Sequence, residues 1–235
     1  MNSTPNRIQL VDDFRGLAVL LMAFFHLSYD LSVFGFLKFE MDGGFFTWFR
    51  FVIVTLFFTS IGAGLFLAHS KSIEWSKFIN REFKIVLGAL FISTSTFFLY
   101  PHSWVWFGVL HFIAVASVLA LPFVFIPTLS LVIGLAIFIL FNVTDWFNLH
   151  FLWNSLNEPL NLPKGTQDLT RLIPWFGMVL IGIYLGKVKF WKVPYLPLGK
   201  ARKTIQFLSK HSLIFYLVHQ PPLFATAWML DKLFH

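Results

Sequence analysis

The chain has 235 residues, of which 57% are hydrophobic and 12% are charged, with a mean hydropathy of +0.73. Soluble domains carry about 25% charged residues, so this composition excludes a water-soluble domain and indicates an integral membrane protein. The absence of cysteine excludes disulfides, thiolate metal sites, a cysteine nucleophile and palmitoylation.

Seven apolar segments approach the length of about 20 residues that a helix needs to cross a bilayer. We therefore predict an all-α, polytopic membrane helix bundle that forms a single domain over residues 1–235. Pro122 and Pro127 interrupt what would otherwise be one helix, so the fourth and fifth segments are predicted to be separate. The predicted spans are Phe14–Phe36, Phe45–Ala68, Phe83–Tyr100, Val105–Leu121, Phe123–Phe141, Leu172–Gly186 and Leu208–Leu230.

The placement of Lys and Arg predicts the orientation in the membrane. Lys71–Lys84 carries four basic residues, Lys187–Lys210 carries seven and no acid, and Asn142–Thr170 carries more acids than bases. With seven spans, both basic loops and the N-terminus lie on the cytoplasmic side of the cell inner (plasma) membrane. Topology then explains the net charge of +7, and the predicted electrostatic partner is the anionic headgroups of membrane lipids, with no nucleic acid.

The first predicted span contains ionisable residues at helical spacing. Arg15 and His26 are eleven residues apart, which places them on nearly the same face and about 16 Å apart along the axis. Asp30 lies one turn beyond His26, within the reach of an i, i+4 pair, and Asp12 lies one turn before Arg15. Ionisable groups inside a membrane are costly and usually face the bundle interior or a wet cavity. The pattern therefore predicts a polar stripe from the cytoplasmic surface past mid-membrane.

Two later spans also carry histidine. His111 lies in WFGVLHFIA, and His219 lies in SLIFYLVHQPPLF, where it is followed by Gln220 and Pro221. The prolines interrupt the helical hydrogen bonds and free carbonyl groups that need other partners. We predict that His111, His219 and Gln220 line a polar cavity with the stripe. No histidine pair has zinc-motif spacing on one helix, so no metal is expected.

Each of these residues also has a purely structural interpretation. Arg15 could snorkel to the headgroups or pair with Asp12, and His26 could be a buried histidine bonded to a neighbouring helix. Asp30 could be an interfacial carboxylate. Trp175, which follows Pro174 near the predicted outer interface, could either line the cavity or act as an aromatic anchor.

Four ordered segments resemble one family. DDFRGLAVLLMAFFHLSYDL, FGVLHFIA, the run from Asp168 through LIPWFGMVLIGI, and SLIFYLVHQPPL are similar to the DUF1624 family, which is grouped with the catalytic domain of heparan-alpha-glucosaminide N-acetyltransferase. The Arg-x10-His spacing of the first segment also resembles the acyltransferase-3 membrane family. The resemblance covers most of the chain. One departure is Asp168-Leu-Thr-Arg, where relatives tend to have Asp-Tyr-Phe-Pro.

The resemblance implies acyl transfer across a membrane. Acetyl-CoA or another acyl-CoA would be the co-substrate on the cytoplasmic side, and a sugar or other hydroxyl or amine, on a carbohydrate or glycolipid, would accept the acyl group at the outer face. His26 would be the general base or a transient acyl carrier, Asp30 would orient it, and Arg15 would meet the CoA phosphates. The chemistry requires a base near the acceptor, and histidine serves near neutral pH.

Two other functions stay open from the sequence. Polar residues in a bundle interior also suit a transporter of a small or lipid-linked solute. A non-catalytic membrane scaffold that needs a partner is the third possibility, and an oligomer is compatible with each of the three.

Overall fold

A computed structural model describes residues 9–38, 43–148, 150–188 and 199–234 of the chain. The structure is 79% helical, and the described residues contain no strand, which confirms the all-α prediction. Lys189 and Lys192 of the second basic loop lie outside the described residues. The helices are α1 (Gln9–Val33), α2 (Gly44–His69), α3 (Trp75–Leu99), α4 (Val109–Ala120), α5 (Pro127–Val143), α6 (His150–Leu156), α7 (Leu172–Lys187), α8 (Arg202–Lys210), α9 (Ser212–Val218) and α10 (Gln220–Phe234).

The chain forms two compact units, Met1–Ser60 with Trp191–His235, and Ile61–Phe190. The prediction of a single domain over the whole chain stays a prediction. In the first unit α1 is the central helix, and α8, α9 and α10 pack against it. The first half of α2 also contacts α1 through aromatic rings, since the Phe24 and Phe49 rings meet edge to face with centroids 6.1 Å apart. The first unit therefore surrounds the helix that carries the predicted polar stripe.

The second unit is held together by close approach of small residues. Gly134 of α5 and Gly177 of α7 face each other, and a Cβ added to either would lie 2.7 Å from the carbonyl oxygen of the other. The buried Ser130 hydroxyl donates a hydrogen bond to the Leu180 carbonyl oxygen across the same contact (2.7 Å). Gly62 of α2 lies so close to the Val179 carbonyl that a Cβ would collide with it. This is the packing expected of membrane helices, where small residues allow backbones to approach.

Three helices, α1, α2 and α3, are long and apolar enough to cross a membrane, and α9 with α10 forms a fourth candidate if the bent pair is one span. The structure therefore does not confirm seven spans. The other three predicted spans correspond to shorter apolar helices, Val109–Phe125, Pro127–Val143 and Leu172–Lys187. The predicted separation at Pro122 is confirmed, because α4 ends at Ala120 and a 3-10 turn, Leu121–Phe125, precedes α5.

The start of the last predicted span needs a correction. We predicted a single segment from Leu208 to Leu230, but Leu208 belongs to α8, and His211 forms a turn before α9 begins at Ser212. Hydropathy alone does not separate these elements, because the apolar residues Phe207 and Leu208 lie about one turn before the apolar helix α9. Helix α8 is separate from the last span, and its polar side contacts Asp12 and Asp13 near the start of α1.

The contact between α1 and α8 gives the first testable prediction. A Cβ at Gly16 of α1 would collide with the Ile205 carbonyl group of α8. We expect Gly16→Ala to lower the apparent melting temperature of the purified protein in detergent, since overpacking costs about 1–3 kcal/mol. Gly165→Ala is the control, because no atom lies within 4 Å of a Cβ there. Equal melting temperatures for the two variants would contradict this packing.

Candidate active site

A helix break places two polar residues opposite α1. Helix α9 ends at Val218, α10 begins at Gln220, and the two helices are bent by 40°. Pro221 and Pro222 have no N–H group, so they cannot donate to the carbonyls one turn earlier, and the regular helix is interrupted here. His219 lies in the break and is buried (8% exposed). Because α9 and α10 both pack on α1, the break is a fixed part of the first unit.

The His26 and His219 rings meet across this contact. Their centroids are 4.9 Å apart and the rings are nearly perpendicular. The Nδ1 atom of His26 lies 2.9 Å from the Met22 carbonyl oxygen, and the Nδ1 atom of His219 lies 2.8 Å from the Tyr216 carbonyl oxygen. A carbonyl oxygen only accepts hydrogen bonds, so each neutral ring carries its proton on Nδ1 and leaves the Nε2 lone pair free of that proton.

Asp30 and Gln220 form the second contact between α1 and the break. The Gln220 Nε2 group donates to both carboxylate oxygens of Asp30, at 3.1 and 3.2 Å. Asp30 is 2% exposed, so the amide supplies donors that a buried carboxylate requires. The carboxylate also fixes the direction of the amide, since only its nitrogen side can face an acceptor. The Gln220 Oε1 atom is therefore left as a buried acceptor, with no hydrogen-bond partner in the described parts of the chain.

These four residues, His26, Asp30, His219 and Gln220, are called the break site. It presents three acceptors, namely two Nε2 atoms and one amide oxygen. The Nε2 atom of His219 is buried and, like Gln220 Oε1, has no partner among the described residues. His26 is half-buried, so it is the more accessible of the two rings. Such a site suits a ligand that donates hydrogen bonds, as a hydroxyl or an amine does.

Asp30 and His26 have other hydrogen-bond partners in the structure than the predicted contact between them. Both residues lie on α1, as the spacing predicts, but the Met22 carbonyl holds the His26 ring and the Asp30 carboxylate binds Gln220. The hydrogen bond that orients His26 is therefore a backbone contact one turn earlier on the same helix. Asp30 acts on the break site through the amide of Gln220.

His111 occupies a different environment, in the second unit. The Ser93 hydroxyl donates to the Val105 carbonyl oxygen (2.7 Å), so it accepts a hydrogen bond from His111 Nε2–H (3.0 Å). The backbone N–H of Gly108 donates to His111 Nδ1 (3.2 Å). Both ring nitrogens are engaged at the start of α4, which indicates that His111 stabilises this helix end. Its predicted role in lining a cavity stays a prediction.

Asp168 supports the same helix end. Its Oδ2 atom accepts a hydrogen bond from the backbone N–H of Val109 (2.9 Å), the first residue of α4. A carboxylate at a helix N-terminus satisfies a free N–H group and interacts favourably with the helix dipole. The contact therefore ties the loop before α7 to the start of α4.

The remaining predicted site residues lie elsewhere. Arg15 is half-buried on α1, on the side of the helix N-terminus relative to His26. Trp175 is half-buried on α7, in the second unit, directly after Pro174. In the described parts of the chain, no group of three or more His, Asp or Glu residues could hold a metal ion.

Sequence reasoning missed the polar contacts between α1 and α8. The carboxylate of Asp13, which is fully buried, accepts hydrogen bonds from Arg202 (3.3 Å) and Gln206 (3.4 Å). The Ser209 hydroxyl donates to Asp12 (3.1 Å). The signal was present in the sequence, because two adjacent acids open an apolar span, and Arg202, Gln206 and Ser209 recur at i, i+4 and i+7.

A comparison with protein families identifies the chain. Residues 7–221 match the profile of the heparan-alpha-glucosaminide N-acetyltransferase catalytic domain. The chain belongs to this family. The heparan-alpha-glucosaminide N-acetyltransferase match includes every residue of the break site, and membership supports a membrane acetyltransferase-like role with acetyl-CoA as the donor that the family uses. No curated protein and no solved structure matches the chain.

The pairing of Asp30 with Gln220 gives a second prediction. Gln220→Leu leaves a buried carboxylate without its amide donor, so we expect a lower apparent melting temperature, corresponding to about 1.5–3 kcal/mol. Adding Asp30→Asn to that variant removes the unpaired charge and should recover part of the loss. Gln167→Leu, at an exposed glutamine of the second unit, is the control. A Gln220→Leu protein as stable as wild type would rule out this contact.

Proposed function

We propose that the chain is an integral-membrane acyltransferase. It takes an acyl group, in the first instance acetyl, from acyl-CoA on the cytoplasmic side and passes it to an acceptor hydroxyl or amine at the outer face. The proposal is supported most by the histidine pair of the break site, in which each Nδ1 atom faces a backbone carbonyl oxygen and the buried Nε2 atom of His219 has no partner among the described residues. Family membership supplies the reaction class.

The proposed step uses His26 as the general base. The acceptor hydroxyl or amine donates a hydrogen bond to His26 Nε2, which takes the proton as the acceptor oxygen or nitrogen bonds to the thioester carbonyl carbon. The carbon–sulfur bond then breaks, and the CoA thiolate receives the proton from His26. The products are the acylated acceptor and CoA with a free thiol. The Nδ1 bond to Met22 keeps the ring in the tautomer that this step requires.

In this proposal, the other break-site residues hold the molecule that receives the acyl group. His219 Nε2 and Gln220 Oε1 are buried acceptors, so they suit a ligand with several hydroxyl or amine donors, such as a carbohydrate or a glycolipid. Asp30 is a positioning residue, because its carboxylate fixes the Gln220 amide. The family's name refers to transfer to the nitrogen of a glucosaminide. A hydroxyl and an amine both donate hydrogen bonds, so either could receive the acyl group while bound to the three hydrogen-bond acceptors of the break site.

The proposed membrane arrangement completes the path. The three shorter apolar helices join the longer ones as spans in a seven-span, multi-pass topology of the inner (plasma) membrane, with a cytoplasmic N-terminus. Helix α1 then runs from the cytoplasm outward, with Arg15 on the donor side and His26 about 16 Å further along. Arg15 meets the CoA phosphates at the cytoplasmic mouth.

A transporter is the second candidate, and the broken α9–α10 helix is the observation that favours it. Transporters build substrate sites from interrupted membrane helices, and the 40° bend carries His219 and Gln220. Uptake of a labelled solute into proteoliposomes without an acyl donor would support the transporter. Acetyl transfer in the same proteoliposomes would support the enzyme.

The role of His26 can be tested directly. We expect His26→Ala to lower the rate of acetyl transfer from labelled acetyl-CoA by about 10²–10⁴-fold, because the general base is lost, while the elution volume and melting temperature stay near those of wild type. His102→Ala, at an exposed histidine of the second unit, is the control and should keep full activity. Wild-type transfer by His26→Ala would overturn the assignment.

Donor binding can be separated from the chemistry. We expect Arg15→Gln to weaken the binding of acetyl-CoA by about tenfold, the effect of losing about 1.4 kcal/mol, since one phosphate contact is removed. His26→Ala should bind acetyl-CoA as wild type does. Arg50→Gln, an exposed arginine on α2, is the matched control. Calorimetry in detergent measures all three, and unchanged binding by Arg15→Gln would exclude it from the donor site.

A further inference from the structure

Helix α8 is fixed to α1 by one of its faces. Arg202, Gln206 and Ser209 recur at helical spacing, and each donates a hydrogen bond to Asp13 or Asp12 of α1. The ion pair between Arg202 and Asp13 is largely buried, since the Asp13 side chain has no exposed surface. A buried charged pair with supporting hydrogen bonds holds a defined geometry. The orientation of α8 about its own axis is therefore set.

An adjacent face of α8 is apolar and buried. Ile205 and Leu208 are 3% and 7% exposed, and the Ile205 carbonyl lies against Gly16 in the second turn of α1. These contacts leave a third face that the described residues of the first unit do not cover. With two faces occupied, the side chains of the third face point outward.

The outward face carries a basic and aromatic stripe. Lys203, Phe207 and Lys210 follow the same i, i+4, i+7 spacing, and all three are exposed, with Phe207 at 61%. Lys200, in the 3-10 turn just before α8, is exposed as well. Residues 199–210 contain no acidic side chain. The stripe therefore combines positive charge with a largely exposed aromatic ring, which also contacts the His211 ring (centroids 4.6 Å apart).

The position of this stripe identifies what it faces. Helix α8 contacts α1 at Asp12 and Asp13, within the first turns of a candidate membrane span, and α9 begins two residues after α8 ends. Helix α8 thus lies at the level where two candidate spans start. At that level of a bilayer, lysines meet lipid phosphates and an aromatic ring enters the boundary between headgroups and acyl chains.

We propose that the α8 stripe of Lys203, Phe207 and Lys210 is an interfacial surface that binds anionic lipid headgroups. The lysine ammonium groups contact lipid phosphates, and each contributes attraction to an anionic surface. A soluble phosphate ligand would need groups that converge from several sides, whereas this stripe is one convex helix face. An exposed phenylalanine between the lysines also favours a lipid surface. The proposal is independent of the acyltransferase reaction.

The experiment compares the protein in nanodiscs of phosphatidylcholine alone and of phosphatidylcholine with phosphatidylglycerol. Hydrogen–deuterium exchange of peptides from residues 199–210 reports on α8, and native mass spectrometry counts retained phosphatidylglycerol. In wild type we expect slower exchange with phosphatidylglycerol. The double variant Lys203→Gln with Lys210→Gln should lose this slowing and retain fewer anionic lipids. Replacing both residues with arginine should preserve both effects.

A charge-matched control separates this surface from general electrostatics. Lys164→Gln with Lys232→Gln removes the same charge from exposed lysines outside α8, and it should behave as wild type. Unchanged phosphatidylglycerol dependence in the Lys203, Lys210 variant would overturn the proposal, and so would an equal loss in the control variant. Weaker acetyl-CoA binding by the Lys203, Lys210 variant in phosphatidylcholine alone would overturn it in favour of a soluble phosphate site.

Discussion

The hydrogen bonds between the Asp30 carboxylate and the Gln220 amide organise the first unit. A carboxylate that is 2% exposed on an apolar helix requires donors, and the chain supplies them from a residue 190 positions away. That contact joins α1 to the break between α9 and α10. It also turns the amide so that its oxygen is a buried acceptor, beside two histidines whose Nδ1 protons face backbone carbonyls. Because these hydrogen bonds use the donors of the four side chains, the break site presents mainly hydrogen-bond acceptors.

The same count of donors and acceptors distinguishes His111 from the two histidines that are proposed to act in acyl transfer. His111 uses both ring nitrogens within the chain, one toward Ser93 and one toward Gly108, so it stabilises the start of α4. His26 and His219 each use one nitrogen, and the Nε2 atom of His219 is buried without a partner among the described residues. Buried polar atoms are usually hydrogen-bonded, and in the proposed mechanism the ligand supplies the donor that this atom lacks.

Local spacing predicts what lies on one helix. It placed Arg15, His26 and Asp30 on α1, and proline positions indicated the break after His219 and the separation of α4 from α5. Contacts distant in sequence were not predictable: an i, i+4 pairing of His26 with Asp30 was the local choice, but Gln220 takes the carboxylate. The hydropathy pattern also led us to place Leu208 in the last span. Hydropathy carries no information about the hydrogen bonds between the acids of α1 and the polar face of α8, which is a separate helix.

The proposed site of acyl transfer is the break site, in the unit built around α1. A photoreactive acyl-CoA analogue with a diazirine in its acyl chain tests this most directly, with the labelled residues mapped by mass spectrometry in nanodiscs. We expect labelling of α1 around His26 and of the α9–α10 break around His219, and loss of this labelling with excess acetyl-CoA. Competable labelling confined to residues of the second unit, such as those around His111, would contradict it.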